Sequence, residues 1–293
     1  MRDDIALKPE EYRLLRDLFS SRIGVQFGPE SRFAMERRLR ERLAVLKLST
    51  FAEYFQYLRF NPQATAEWEE AIELLTTNET YFFREDYQLR SFKNEVVPQL
   101  AAAGKARKRL SVWSAGCSTG EEVYTIAIIL LESPLLAGWD LRVYGSDISK
   151  RCIAAARKGA YGSAAFRAMP EDYKRRYFNE RSDGLYVTER VRAICHFGQM
   201  NLLDEEKARL LGRADAVFCR NVLIYFDAYS RKRTIDIFLE RLYPGGVLLL
   251  GHSESLLNVS TAFELLHLKE DLVYRKPQAP APASRDSSKP QPG

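Results

Sequence analysis

The chain has 293 residues, 46% hydrophobic and 28% charged, with a formal net charge of +5. That balance predicts one large or two modest soluble domains with a real core, and the positive excess is mild. No apolar run nears the roughly 18 residues of a membrane helix, no signal core follows Met1, and four scattered cysteines and three histidines suit reduced thiols better than a disulfide frame or a metal site.

The first 75 residues predict helices only. Pro9-Glu10-Glu11 resembles a helix start, followed by Tyr12, Leu15 and Leu18-Phe19 on one side. Gly24 and Gly28-Pro29 punctuate. From Arg32 to Lys47, Phe33, Leu39, Leu43 and Leu46 recur at roughly helical spacing, so one face can be buried. Arg37, Arg38, Arg40 and Arg42 are then expected to face mostly outward. A charge run is by default a solvated face; the sharper reading is a docking surface that attracts an acidic partner. A further amphipathic piece, Phe51 to Leu58, ends near Asn61-Pro62.

Two helical patterns flank the stretch T-T-N-E-T-Y-F-F-R-E-D, Thr76 to Asp86. Trp68, Ile72 and Leu75 precede it, and Leu89, Phe92, Val96 and Leu100 follow. A plain linker would be small and polar. This one carries three aromatics and Arg84.

From Leu110 strands and helices alternate. Strands are predicted at 110–115, 141–145, 216–219 and 247–250, and helices at 121–131, 150–158 and 231–242. This alternation predicts a doubly wound α/β sheet. Between Tyr161 and Met200, three short strand-like pieces around Asp183-Gly184, at 176–178, 185–187 and 193–197, predict a small antiparallel insertion. From Pro277 the chain is rich in Pro, Ala, Ser and Gln, and a disordered tail is expected.

The chemistry gathers at predicted strand ends. The first strand runs into A-G-C-S-T-G-E-E, Ala115 to Glu122, and then a helix. A glycine turn there lets backbone amides approach a nucleotide-like ligand. Acids at a helix start suit the helix dipole, but a pyrophosphate would face them, which argues against NAD. A ligand with positive charge and no phosphate fits better. Asp147 ends the second strand and can either accept both hydroxyls of a ribose or cap the helix after Ser149. Asn221 and Tyr225 follow the 216–219 strand, and Asn201 closes another with an amide usable for an adenine edge. Gly251-His-Ser-Glu-Ser255 nearly spells the G-x-S-x-G of serine hydrolases, without the last glycine.

Together, N-E-T-Y-F-F-R, W-S-A-G-C-S-T-G-E-E-V-Y-T-I-A, G-S-D-I-S, C-R-N-V-L-I-Y-F-D and P-G-G-V-L-L-L-G-H-S-E-S-L resemble the CheR family of chemotaxis receptor glutamate methyltransferases. The resemblance implies S-adenosylmethionine as cofactor, S-adenosylhomocysteine as product and no metal. It implies a Rossmann-like α/β methyltransferase domain (101–276) with a small antiparallel β-subdomain (about 161–200). An all-helical N-terminal domain (1–75) and a linker with connecting helix (76–100) precede it, and the tail (277–293) follows. It assigns the cofactor to Asn78, Thr80, Arg84, Ala115, Gly116, Glu121, Asp147, Asn201, Leu202, Asn221 and Val222, and methyl transfer to Arg84 and Tyr225. Phe82 and Phe83 are expected to anchor the linker to both domains. The implied partners are cytoplasmic helices of methyl-accepting chemotaxis receptors, docked by Arg37, Arg38, Arg40 and Arg42. The short turn at 179–184 favours an enzyme independent of a receptor pentapeptide. A cytoplasmic monomer without nucleic acid or membrane insertion is expected. The rivals are a nucleic-acid methyltransferase and a non-catalytic cofactor-binding signalling protein.

Overall fold

A computed structural model describes residues 5–278, so most of the proline-rich tail lies outside the described residues. Four helices come first: α1 (Pro9–Ile23), α2 (Arg32–Leu46), α3 (Phe51–Phe60) and α4 (Ala64–Leu75). Pro9 opens α1 where no backbone donor is needed, and Gly24 ends it in the left-handed conformation. Thr50 caps α3 by accepting the Glu53 N–H at 3.1 Å. Leu15, Phe19, Leu39, Leu43, Phe51 and Tyr54 are fully buried between these helices.

The buried stripe of α2 is Met35, Leu39 and Leu43, spaced by four. Phe33 is 69% exposed, contrary to expectation. Six residues from Leu39, it falls well off that stripe at 3.6 residues per turn.

The linker leads into α5 (Asp86–Ser91), a π turn (Phe92–Val96) and α6 (Val97–Gly104). The C-terminal half then runs β1 (Arg109–Ala115), α7 (Glu121–Leu131), β2 (Asp140–Asp147), α8 (Lys150–Lys158), β3 (Ala160–Tyr161), α9 (Glu171–Tyr177), β4 (Phe178–Arg181), β5 (Gly184–Val187), α10 (Glu189–Arg192), β6 (Cys195–Gln199) and α11 (Glu205–Leu210). It closes with β7 (Ala214–Cys219), α12 (Ala228–Arg241), β8 (Leu242–Leu250), β9 (Glu264–His267) and β10 (Leu272–Arg275).

Seven strands form one sheet in the order β6-β2-β1-β7-β8-β10-β9. The first five are parallel; β10 and β9 add as an antiparallel edge. Helices α6, α7 and α8 cover one face, α11 and α12 the other. Coverage on both faces leaves β1 buried after Arg109, β7 buried throughout and the Val247–Leu250 end of β8 an all-apolar buried run. The strand order reverses at β1, with β2 on one side and β7 on the other. Ligands of open α/β sheets bind at such a switch point, beyond the strand C-termini.

The small antiparallel sheet is present, but with other members than expected. Its order is β3-β5-β4. The predicted strand at 193–197 is instead β6, paired parallel with β2 from Val143↔Cys195 to Asp147↔Gln199. Arg176 and Tyr177 end a helix rather than start a strand. A short apolar run cannot announce which sheet it joins, and here the exposed edge of β2 supplies the partner. The small sheet itself begins at Ala160 and ends at Val187. Among the described residues, no helix is long and apolar enough to cross a membrane.

Candidate active site

A single cleft opens beyond the C-terminal ends of β1, β2 and β7. Asn78, Thr80, Arg84, Gly116, Asp147, Asn201, Leu202, Asn221, Val222 and Tyr225 all line it. Gly116 stands at φ +78°, and a Cβ there would lie 2.5 Å from Val222 Cγ2, so only glycine lets the β1 turn approach the loop after β7.

Asp147 ends β2 and is 7% exposed. Ser118 N–H donates to its Oδ2 at 2.7 Å and Ser149 N–H to its Oδ1 at 2.9 Å. The cap of α8 is Ser149, whose Oγ accepts the Cys152 N–H at 2.9 Å, which leaves Asp147 to the cleft. Burial pushes the Asp147 carboxyl up from its ordinary range, against the two N–H donors.

Two assigned residues face elsewhere. Ala115 is buried within the sheet. Glu121 accepts the Thr119 hydroxyl at 2.7 Å and does not line the cleft; the neighbouring Glu122 does. Consecutive helical residues point about 100° apart, so one of the two acids had to turn away. Asn201 lines the cleft, but both ends of its amide are engaged. Nδ2 donates to the Arg22 carbonyl at 2.7 Å, and Oδ1 accepts the Leu203 N–H at 3.0 Å.

The linker forms one wall. Ser118 Oγ donates to the Asn78 carbonyl at 3.0 Å. Phe82 is fully buried against Tyr161, Phe166 and Phe178, and Phe83 stacks on Tyr173. Both rings therefore anchor to the C-terminal half and its small sheet, not to both domains as expected. Arg84 lines the cleft and donates one N–H to the Glu79 carbonyl at 2.9 Å.

Sequence reasoning missed a buried polar cluster behind this wall. The Arg220 side chain is 2% exposed. It donates to Gln88 Oε1 (2.8 Å), Glu122 Oε2 (3.1 Å), the Arg84 carbonyl (2.6 Å) and Glu85 Oε2 (3.2 Å). Burial opposes ionisation of Glu85, yet Arg220, the Asn221 amide and the His252 N–H bring its carboxyl below the usual range. For Glu122 burial wins over Arg220 and Ser114, and its carboxyl is raised. The available signal was Arg220 itself, next to Asn221 in C-R-N. Phe83, Glu85, Ser118 and Asn221 around the cleft all have positive φ. Such backbones persist where their surroundings over-determine them.

The helical half is part of the wall. Ile23 and Val25 line the cleft. Val25 bridges Phe226, Gln26 N–H donates to the Tyr225 carbonyl at 2.7 Å, and Asp227 N–H donates to the Gly24 carbonyl at 3.0 Å. On α4, Glu73 accepts from Ser149 Oγ (2.6 Å) and from Arg151 N–H (2.9 Å) at the start of α8.

The four arginines of α2 do not act alike. Arg37 is exposed. Arg38 donates to the Leu75 carbonyl at 3.4 Å, and Arg40 pairs with Glu36. Arg42 turns inward, donating through Nε to Glu67 Oε1 at 3.0 Å. Glu67 is 3% exposed, and a buried carboxylate requires a paired cation. The expectation that Arg42 faces a partner is corrected on that ground.

Comparison with known proteins decides the family. The model described as CheR methyltransferase, all-alpha domain, matches residues 10–76, and that described as CheR methyltransferase, SAM binding domain, matches residues 78–272. The chain belongs to the CheR methyltransferase family. A chemotaxis protein methyltransferase 2 of Vibrio cholerae is 37% identical over 278 residues, covering 94% of this chain and 96% of the relative. The chemotaxis protein methyltransferase of Salmonella typhimurium is 35% identical, covering 90% of each. A Pseudomonas aeruginosa chemotaxis protein methyltransferase 2 is 34% identical, covering 86% and 88%. This CheR chain is thus an S-adenosylmethionine-dependent methyltransferase of chemotaxis.

Proposed function

We propose that the protein transfers the methyl group of S-adenosylmethionine to glutamate side chains on cytoplasmic helices of methyl-accepting chemotaxis receptors. The products are a glutamate methyl ester and S-adenosylhomocysteine. One observation carries this reading: in a CheR chain, Arg84 and Tyr225 line the same cleft as Asp147 and the Gly116 turn.

The cleft suits this cofactor. A carboxylate has about four acceptor sites, so Asp147 keeps capacity for a ribose diol beside its two N–H donors. Glu122 and Asp147 line the cleft, while Arg220 is already engaged by Glu85 and Glu122. Such a lining favours a cationic ligand over a phosphate. Bound there, the cofactor supplies a methyl group on a cationic sulfur.

The acceptor glutamate, with an ordinary pKa near 4.3, is ionised at neutral pH and needs no general base. What the chain contributes is placement and dryness. Arg84 holds a carboxylate in a planar two-pronged contact, and the Tyr225 hydroxyl orients it. Opposite charges annihilate as the methyl moves, so excluding water and aligning the partners both favour transfer. Docking of the acidic receptor helix falls to Arg37 and Arg38 of α2, beside the exposed Phe33 and Val45.

Incubation with methyl-labelled S-adenosylmethionine and either a receptor cytoplasmic fragment or RNA tests this. The expected result is label on the receptor, released by mild base as an ester requires. Label on RNA, or base-stable label on the receptor, would overturn the assignment.

A further inference from the structure

The stretch Gly251 to Ser255 has no part in the reaction described above, yet it lies against the site. We infer that Glu254 is the positioning residue of the Asn221–Tyr225 loop, through one carboxylate that gathers four backbone N–H groups. Oε2 accepts from Gly251 at 2.7 Å and from Asn221 at 2.9 Å; Oε1 accepts from Val222 at 2.9 Å and from Ile224 at 3.2 Å. Hydrogen bonds to an ionised acceptor are roughly twice as strong as neutral ones. Three of these donors belong to five consecutive residues of the loop, and two of those residues, Asn221 and Val222, line the cleft.

The loop needs such a clamp. Asn221 sits at φ +60°, a left-handed conformation that Asn tolerates better than other L residues but that still costs energy unless its surroundings hold it. Its side chain is fixed from the opposite direction, Nδ2 donating to Glu85 Oε1 at 3.2 Å. Backbone and side chain are thus held by two acids from distant parts of the chain. From Val222 the loop closes a single 3-10 turn, with Tyr225 N–H donating to the Val222 carbonyl at 3.1 Å. Tyr225 is thereby tied to Val222 as well as to Gln26, whose N–H donates to its carbonyl.

The approach of β8 to the loop is equally specific. A Cβ on residue 251 would lie 2.8 Å from Asn221 N and 2.8 Å from Glu254 Oε2, so glycine is required there. Glu254 does not itself line the cleft, so it acts through the loop. In this segment the glutamate carries the function, and Ser253 is exposed.

The inference deepens the proposed reaction and rests on it for the role of Tyr225; its test is built so that the two can fail separately. Glu254→Gln keeps the shape but turns an amide NH2 toward two of the four donors. Hydrogen exchange of the full-length protein reads the clamp without any substrate. In the variant, exchange is expected to rise at least about tenfold at residues 221–224 and 251, and to stay unchanged in α7 and β1. On the receptor fragment, kcat is expected to fall about 10- to 100-fold with KM within about threefold. Tyr225→Phe should then add little to Glu254→Gln, because the tyrosine is already misplaced, whereas independent roles would multiply. Glu254→Asp, with the charge kept, should restore part of kcat.

Unchanged exchange in the loop, or losses that multiply fully with Tyr225→Phe, would overturn the inference. So would a lower Tm with kcat retained. If Glu254→Gln does not fold, Glu254→Asp alone is carried through the same exchange measurement and the same cycle: faster loop exchange with a non-multiplying kcat loss supports the clamp, and unchanged exchange or full multiplication overturns it. If the variant shows the exchange pattern and the wild-type protein binds S-adenosylhomocysteine yet leaves the receptor unlabelled, the substrate reading is overturned and not the clamp.

Discussion

Arg84, Tyr225 and Asp147 share one cleft but are placed for different work. Asp147 is buried at the end of β2 with both oxygens held by N–H groups, so its orientation is set before any ligand arrives. Arg84 and Tyr225 line the same cleft from the linker and from the β7 loop. Arg84→Ala and Tyr225→Phe are therefore expected to lower kcat, about 100-fold for the arginine, with little loss of S-adenosylhomocysteine affinity. Asp147→Ala should do the reverse: two charge-assisted hydrogen bonds of about 1.5–3 kcal/mol each are at stake, so affinity should fall at least about tenfold. Calorimetry beside steady-state kinetics separates the two, and equal affinity losses in all three variants would refute these roles. Glu85 supplies a pH signature. Its folded-state carboxyl titrates below the unfolded value of about 4.3, so its stabilisation is complete above that value and is lost as pH falls through the folded one. Thermal melts from pH 7 to pH 3 should show wild type above Glu85→Gln at neutral pH, with the gap closing on acidification.

The linker is held as an element rather than by any one contact. Phe82 N–H donates to the Ala165 carbonyl at 2.9 Å, and its ring packs among Tyr161, Phe166 and Phe178. Phe83 and Glu85 take left-handed backbones within three residues, which the side chains around them must enforce. Removing the Phe82 ring opens a cavity against the small sheet, and Phe82→Ala is expected to cost about 3–5 kcal/mol. Urea unfolding measures this. Because Arg84 is two residues away, cleavage by protease within residues 76–86 should rise in parallel. A loss below about 1 kcal/mol would show that the linker is anchored elsewhere.

Across the whole molecule, the helical half is structurally part of the site. The end of α1 pairs with the Tyr225 loop, and Glu73 of α4 accepts from Ser149, the cap of α8 two residues beyond Asp147, and from Arg151. Its arginines therefore divide by what surrounds them. Reversing Arg37 and Arg38 to Glu should raise KM for receptor severalfold at low ionic strength, an effect that fades with salt as screening predicts. The cofactor affinity of that variant should not move. Arg42→Glu should instead destabilise the helical half by roughly 3–5 kcal/mol, because it leaves Glu67 buried and unpaired. Salt titration of receptor methylation checks the first; a melt of the helical half checks the second. Salt-independent loss in the Arg37 and Arg38 variant would sink the docking face.

What the sequence by itself determined was whatever is written in local chemistry. The α/β alternation from Leu110, the helices before it and the glycine turn after β1 follow from periodicity and backbone preference, which neighbours in sequence largely decide. The acid at the tip of β2 was legible for the same reason. Tertiary structure alone decided which way side chains point and which edge a strand joins. Glu122 rather than Glu121 meets the cleft, and Arg42 folds inward to Glu67. Cys195–Gln199 joins β2 instead of the small sheet, and Glu254 reaches back across 30 residues or more to its loop. The physical reason is common to all four. Spacing along the chain fixes a periodicity, but the partner that satisfies a charge or an open strand edge is supplied by distant segments, and only the folded arrangement brings it near.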